Sequence, residues 1–494
     1  MLDRTTALHL ANRMGFGPAP GELERIQSLG FDGYVNEQLN PRIGELPPSL
    51  EAQLKKLPSF GKNTFQLYRD YYWKMLDDEK MDKSMRGLMK FAMKSVVPEW
   101  RLARLARAIA SPHRLHEALV DFWFNHFNVY EHKGLDKLWV GAYEEEAIRP
   151  HTLGKLSDLL LATAKHPAML IYLDNAKNTA ALTGPGAGKN DKGGINENYA
   201  REVMELHTLG VDGGYTQSDV TALAHVLTGW TVGVEGFDAD YAGRGRSGVR
   251  GGFRFVPRWH DRTPQTVLGR RFANSDQSDG EQALLMLARH PSTAKHVSFQ
   301  LAQYFVADKP DPALVDDMAA VFRKTDGDIR EVARAMFLSR AFRDPANIGK
   351  KFKTPYQYVV SVARLAKLDT KYAAPLAESL KTLGQPIYGC ATPDGYACTE
   401  GAWLDPDAMM RRLSFAVRFG RGDYAQPYLA EVGYGTMGKP TRIDPAASDA
   451  PLNADEMLQI LGSELSSKTR ASVLQAARTD RAGLILGSPD FMRC

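Results

Sequence analysis

Apolar residues return every three or four positions through most of this chain, as in Leu102, Leu105, Ala106 and Ile109, or Val315, Met318, Ala319 and Phe322. On a helix turning by about 100° per residue such positions share one face, so each segment is amphipathic and has to bury that face against another. About twenty such segments can be counted. Strand-like alternation is scarce: Gly251–Val256 is the best case, with a short hairpin expected near Gly229–Val234. The expected fold is mainly α, a large multi-helix globular domain with long irregular loops and at most a small β-hairpin.

With 494 residues, 44% hydrophobic and 24% charged, the chain can bury a large core and has length for two or three domains. The expected parts are a helical N-terminal one over 1–150, a central one over 151–345 that carries most polar motifs, and a helical C-terminal one over 346–494 with long loops, unless all three form one domain. Proline and glycine punctuate the chain at Pro18–Gly21, Pro41–Pro48, Gly184–Gly194, Gly233–Gly252, Gly384–Gly401 and Gly433–Pro451. The last two are expected to be functional or covering loops.

Sixty-two Lys and Arg against 58 Asp and Glu leave a formal charge of +4, without the clustered basic surplus that nucleic acid binding requires. No window approaches 18 uninterrupted apolar residues, so no membrane span is expected. The opening Met1-Leu2-Asp3-Arg4-Thr5-Thr6 lacks the pattern of a secretory signal, and the expectation for the chain as written is cytoplasmic. Cys390, Cys398 and Cys494 match no zinc spacing and build no disulfide framework, although a single Cys390–Cys398 loop disulfide stays open.

Chemistry-bearing residues concentrate in a few stretches. In His116–Tyr130, Glu117, Asp121, Asn125 and Asn128 fall at i, i+4, i+8 and i+11 and form one polar stripe on a helix crowded with aromatics. Buried there, they are either a structural network or the wall of a site. His126 lies off the stripe, as a core histidine or a ligand. In Asn196–Gly210, Asn196 serves as the expected N-cap and Gly210 as the stop of a helix of about four turns. On it Asn198, Glu202 and Glu205 lie within about 40° of one another, Arg201 borders their face and His207 points away.

Carboxylates three residues apart have Cβ atoms roughly 5–6 Å apart, close enough to share a proton or hold a metal ion. The alternative is that Arg201, with Arg149 or another arginine, neutralises both in a packing network. Asp174 ends an apolar run at Tyr172-Leu173-Asp174-Asn175, and His260-Asp261 follows the best strand; both place acids at element ends, where sites are often built. Asp261 reads equally as a helix cap. Thr183–Asn190 fails as a phosphate loop, since its spacing is wrong and no Ser or Thr follows Lys189. The turn Thr392-Pro393-Asp394-Gly395-Tyr396, with Trp403, carries aromatics that either stack on a sugar or cap the core.

Together these stretches resemble the bacterial family catalogued as domain of unknown function 1800. The resemblance runs from His9-Leu10-Ala11-Asn12-Arg13-Met14-Gly15-Phe16-Gly17-Pro18 to Leu484-Ile485-Leu486-Gly487-Ser488-Pro489-Asp490-Phe491. Its strongest marks are Phe122-Trp123 with Asn125-His126-Phe127, the whole of Asn196–Gly210, Gly214-Tyr215-Thr216-Gln217, Leu227-Thr228-Gly229-Trp230 and His260-Asp261. The resemblance implies that relatives are often exported and that their genes sit beside those of a second family related to sulfatases and alkaline phosphatases, a protein partner to be expected. Phe124 stands where relatives often have His, which removes one metal ligand.

Acids among aromatics match the chemistry that protonates a glycosidic oxygen while a sugar stacks on a ring. The leading expectation is therefore an acid/base hydrolase of a glycan or other small polar substrate. Glu202, Glu205 and Asp261 are its working carboxylates, and Asp121, Trp123, Asn125, His126, Asp174, Asn198, Tyr199, Arg201, Trp230 and His260 line the substrate. No metal ligand or cofactor is assigned in that reading. A divalent-metal hydrolase of esters or phosphates, and a non-catalytic binding or assembly protein, are the alternatives.

Overall fold

The computed structural model describes residues 2–42, 45–73, 83–180, 193–233, 252–424 and 451–494. The rejected phosphate loop Thr183–Asn190 lies outside them, as does most of the Gly184–Gly194, Gly233–Gly252 and Gly433–Pro451 loops. The architecture is mainly α, 65% helical, with two small two-stranded sheets among the described residues.

The helices that position the polar stretches are α1 (Arg4–Arg13), α2 (Glu22–Leu39), α3 (Lys83–Ala110), α4 (Arg114–His126), α5 (Asp136–Tyr143), α6 (Asn198–Glu202), α7 (Gln217–Val226), α8 (Pro291–Phe305), α9 (Pro355–Leu365) and α10 (Pro406–Gly420). Their starts follow from local chemistry. Proline stands at the first position of α8, α9 and α10, where its missing N–H would be unpaired in any case. Thr216 and Thr354 cap α7 and α9 in reciprocal boxes with Asp219 and Gln357.

The expected hairpin is present: β1 (Trp230–Val232) pairs antiparallel with β2 (Phe253–Phe255), Trp230 opposite Phe255. A second hairpin, β3 (Gln265–Val267) with β4 (Arg270–Phe272), carries too few apolar residues to have shown in the sequence.

One buried apolar cluster draws on residues from Ala7 to Met492. Its ties span great lengths of chain. Arg4 at the start of α1 donates to the carbonyls of Gln459 and Ile460 at 3.0 and 2.8 Å, and Lys353 N–H donates to Met492 O. Glu22 on α2 is clasped by Arg114 from α4 (3.0 Å) and Arg364 from α9 (2.5 Å). Among the described residues no helix is long and apolar enough to cross a membrane. All three cysteines are free thiols, which corrects the open Cys390–Cys398 disulfide.

Candidate active site

The polar stripe on α4 divides into two parts. Its first half is an ion-pair network in the core. Arg149 donates to both oxygens of Glu117 at 3.0 Å. Arg104, from α3, donates to Asp121 at 2.7 Å and to Glu144 at 3.1 Å, while the Tyr304 hydroxyl donates to Asp121 at 2.8 Å. Glu144 also receives Arg149 at 2.8 Å and the Tyr388 hydroxyl at 3.0 Å. The Arg104 guanidinium sits 5.0 to 5.5 Å from the ring centroids of Phe124, Tyr356 and Tyr388, a cationic centre in an aromatic cage. Burial alone would raise Glu117, but Arg149 and His116 beside it hold its carboxyl well below the usual range. At Asp121 burial prevails and the carboxyl is raised despite Arg104. Asp121, expected at the substrate, is instead committed to Arg104 and Tyr304.

The second half of the stripe holds a loop, with Asn128 not on the helix as expected but just past its end at His126. Asn125 and Tyr396 exchange two hydrogen bonds, the Asn125 amide to Tyr396 O at 2.8 Å and the Tyr396 N–H to Asn125 Oδ1 at 2.7 Å. Asn128 donates to Cys390 O and Thr392 O, and the Tyr172 hydroxyl to Ala391 O. Gly395 lies at φ +72°, and a Cβ there would stand 2.4 Å from Asn125 O, so the loop comes this close only because it carries glycine. Tyr396 and Trp403 spend their polar atoms on Pro386 O and Ala397 O; Trp403 is buried against the loop, while the Tyr396 ring is half-buried. Behind the loop lies a cavity of about 40 Å³, enough for one or two waters.

The stretch Asn196–Gly210 folds as one helix in two geometries. The Asn196 side chain accepts from Asn198 N–H at 3.0 Å, and α6 then widens into a π-helical turn over Val203–Thr208, closed by Leu209 N–H on Met204 O at 2.9 Å. The wider turn leaves carbonyls free at its C-terminal end, and two histidine rings cap them: His126 Nε2 donates to His207 O at 3.0 Å and His296 Nε2 to Leu206 O at 3.1 Å. Gly210 ends the helix at φ +83°, where a Cβ would meet the His296 ring at 2.8 Å. With Nδ1 against the Gln300 carboxamide at 2.6 Å, both nitrogens of His126 are engaged and the expectation of His126 at the substrate is corrected.

Glu202 and Glu205 flank the junction of the two geometries and are both half-buried. Glu205 receives the Tyr215 hydroxyl at 3.4 Å, and among the described residues neither acid has an ion pair. The arginines of the packing alternative are spent elsewhere: Arg201 on Glu197 and Gln217, each at 3.0 Å, and Arg149 on Glu117, Glu144 and Glu145. Burial pushes the Glu202 carboxyl above its usual range, Glu205 and Asp394 push it further, and Arg201 opposes them. The Asn125-held loop thus carries an exposed carboxylate, Asp394, whose charge is felt at Glu202.

Other expected residues fall elsewhere. Trp123, Tyr199 and Trp230 are fully buried in the core, with Trp123 Nε1 on Thr152 O, and a ring with no exposed face cannot stack on a substrate. Asp174 binds Lys133 and Lys177 at 2.8 Å each, in a different groove. Asn198 is exposed at the helix start. His260 is buried with Nδ1 on Thr228 O at 2.9 Å. Asp261 is neither a helix cap nor a neighbour that acts on Glu202. One of its oxygens accepts from Thr263 N–H at 2.8 Å and the other pairs with Nδ1 of His225. Burial would raise Asp261, but Thr263 and His225 hold it below its usual range. Among the described residues no three His, Cys, Asp or Glu side chains converge as a metal site.

The family model described as "Protein of unknown function (DUF1800)" matches residues 9–493. The chain belongs to this family. No curated protein matches it, and no solved structure does. The stretches that mark the DUF1800 resemblance supply the polar contacts of two groups, one around Glu202 and Glu205 and one around Asp261. His126 caps the Asn196–Gly210 helix, Asn125 holds the loop whose Asp394 charge is felt at Glu202, Tyr215 reaches Glu205, Gln217 joins Arg201 and Glu197, and Thr228 supports Asp261. Asp394 and Tyr215 are visible in the sequence only as members of a turn and of a family mark, without a role, and His225 is not singled out at all, because its partner lies 36 residues away.

Proposed function

We propose that this DUF1800 protein is a hydrolase that uses the Glu202 and Glu205 carboxylates, with a glycan as its substrate. The observation that carries the reading is the state of Glu202: half-buried, without an ion-pair partner among the described residues, and raised in pKa by burial, Glu205 and Asp394. A carboxyl whose pKa is raised is suited to protonate a glycosidic oxygen as general acid, and a second carboxyl beside it completes the pair. Glu205, in contact with Tyr215, takes that second role.

The test is release of reducing ends from a panel of polysaccharides by the wild type, Glu202→Gln and Glu205→Gln. Glu202→Gln is expected to lower kcat by roughly a hundredfold or more while the protein stays folded. Wild-type release that survives in Glu202→Gln, or no release by the wild type across the panel, overturns the reading.

A further inference from the structure

All twelve histidines of the chain lie among the described residues, and most spend their rings on structure. His126 and His296 cap carbonyls, His9 donates to Phe342 O, His116 to Arg149 O, and His290 caps a helix start. His225 differs. Its Nδ1 faces the Asp261 carboxylate, the side chain is about a quarter exposed (27%), and Nε2 has no partner among the described residues.

The support behind it is built with some redundancy. Asp261 is fixed through its own N–H on Thr228 Oγ1 at 2.8 Å and through Thr263 N–H on its second oxygen. Thr228 in turn donates its hydroxyl to the His225 carbonyl at 2.6 Å, which ties the two halves of the pair to each other. The Asn274 side chain holds the Asp261 carbonyl at 2.5 Å. A carboxylate on Nδ1 sets the tautomer of an imidazole, orients the ring and stabilises the imidazolium, and so makes the open Nε2 a general base.

We propose that His225 and Asp261 form a second acid/base centre, separate from the glutamate pair, that hydrolyses carboxylic esters. The Thr228 hydroxyl is used within the support and is no nucleophile, so water is activated. Nε2 takes a proton from water as the water oxygen bonds to the acyl carbon and the carbonyl π pair moves to oxygen. The tetrahedral adduct then collapses: the carbonyl re-forms, the C–O bond to the alcohol breaks, and the alkoxide leaves with the proton from Nε2. Asp261 stays ionised throughout. His225 is the catalytic residue and Asp261 its positioning residue.

The experiment uses 4-nitrophenyl acetate with the full chain and compares the wild type, His225→Ala, His225→Gln, Asp261→Asn and, as control, His132→Gln at an exposed histidine. Expected are saturable turnover by the wild type and the control, a kcat lowered by roughly a hundredfold in both His225 variants, and partial recovery of His225→Ala by added imidazole. Asp261→Asn is expected to lower kcat with KM unchanged, which a merely structural role would not produce. Wild-type rates in either His225 variant or in Asp261→Asn overturn the proposal. So does a His225→Ala protein that stays inactive in imidazole, or a wild type no faster than an equal concentration of free imidazole. The assay contains no glycan, so its outcome is independent of the glutamate reading.

Discussion

Glu117 and Glu202 are both glutamates on helices that bury them, yet they stand in opposite electrostatic situations. Glu117 has two guanidinium bonds and its charge stabilises the fold, whereas Glu202 has no ion pair and its charge is disfavoured. Removing one partner of a buried pair leaves the other uncompensated, a loss of about 3–5 kcal/mol. Glu117→Gln is therefore expected to lower the denaturant midpoint strongly, and Glu202→Gln to leave it unchanged or raise it slightly at neutral pH. Equal losses in the two variants would show that Glu202 is a structural acid. The spacing of Glu202 and Glu205 is legible in the sequence; their lack of arginine is not, because Arg201 stands next to Glu202 and only the fold shows that it and Arg149 choose other acids. The buried Trp123 and Trp230 were misread for the same reason, since an aromatic in a motif looks alike whether it faces solvent or core.

At the scale of elements, the long amphipathic helices and the first hairpin are legible because their apolar spacing records the face they bury. The π-helical turn at Val203–Thr208 is not, since one wide turn barely alters that spacing and its cause lies in rings from α4 and α8. The loop at 390–396 is legible as a turn but not as a structural partner of α4. Its attachment rests on two asparagines and the Tyr172 hydroxyl, so Asn128→Ala is expected to release it. The native thiols report this: Cys390 is buried at the start of the loop, and burial pushes the Cys398 thiol up. Faster labelling of both by a thiol reagent in Asn128→Ala is the expected outcome, and labelling at the wild-type rate would show that the loop is held by its remaining contacts.

For the whole molecule, the buried ionisable groups set the response to acid. Burial, with Arg13 nearby, lowers His9 from 6.5 to about 4, and burial, with His296 nearby, lowers His126 likewise. Both stay neutral when folded and take up a proton when unfolded, so stability is lost as pH falls from about 6.5 to about 4. Glu22 follows: burial would raise it, but Arg364 and Arg114 hold it at about 2, and its contribution is lost between about 4.5 and 2. The raised Asp121 and Asp136 carboxyls bind protons first in the folded state and so act in the opposite sense. Urea titrations of the wild type and His9→Gln separate the two effects: the loss between about 6.5 and 4 is expected to be smaller in the variant, and an equal loss would contradict the burial of His9.

The ties between α1 and the segment near Ile460, and between α2 and Arg364 some 342 residues later, bear on how the chain comes into being. During synthesis the first helices leave the ribosome with their apolar faces bare and wait for partners encoded in the last part of the message. Contacts of such range close slowly. Truncations that spare the polar region but remove the last helices are expected to leave Arg4 without its carbonyl partners and to destabilise the start of the first helix.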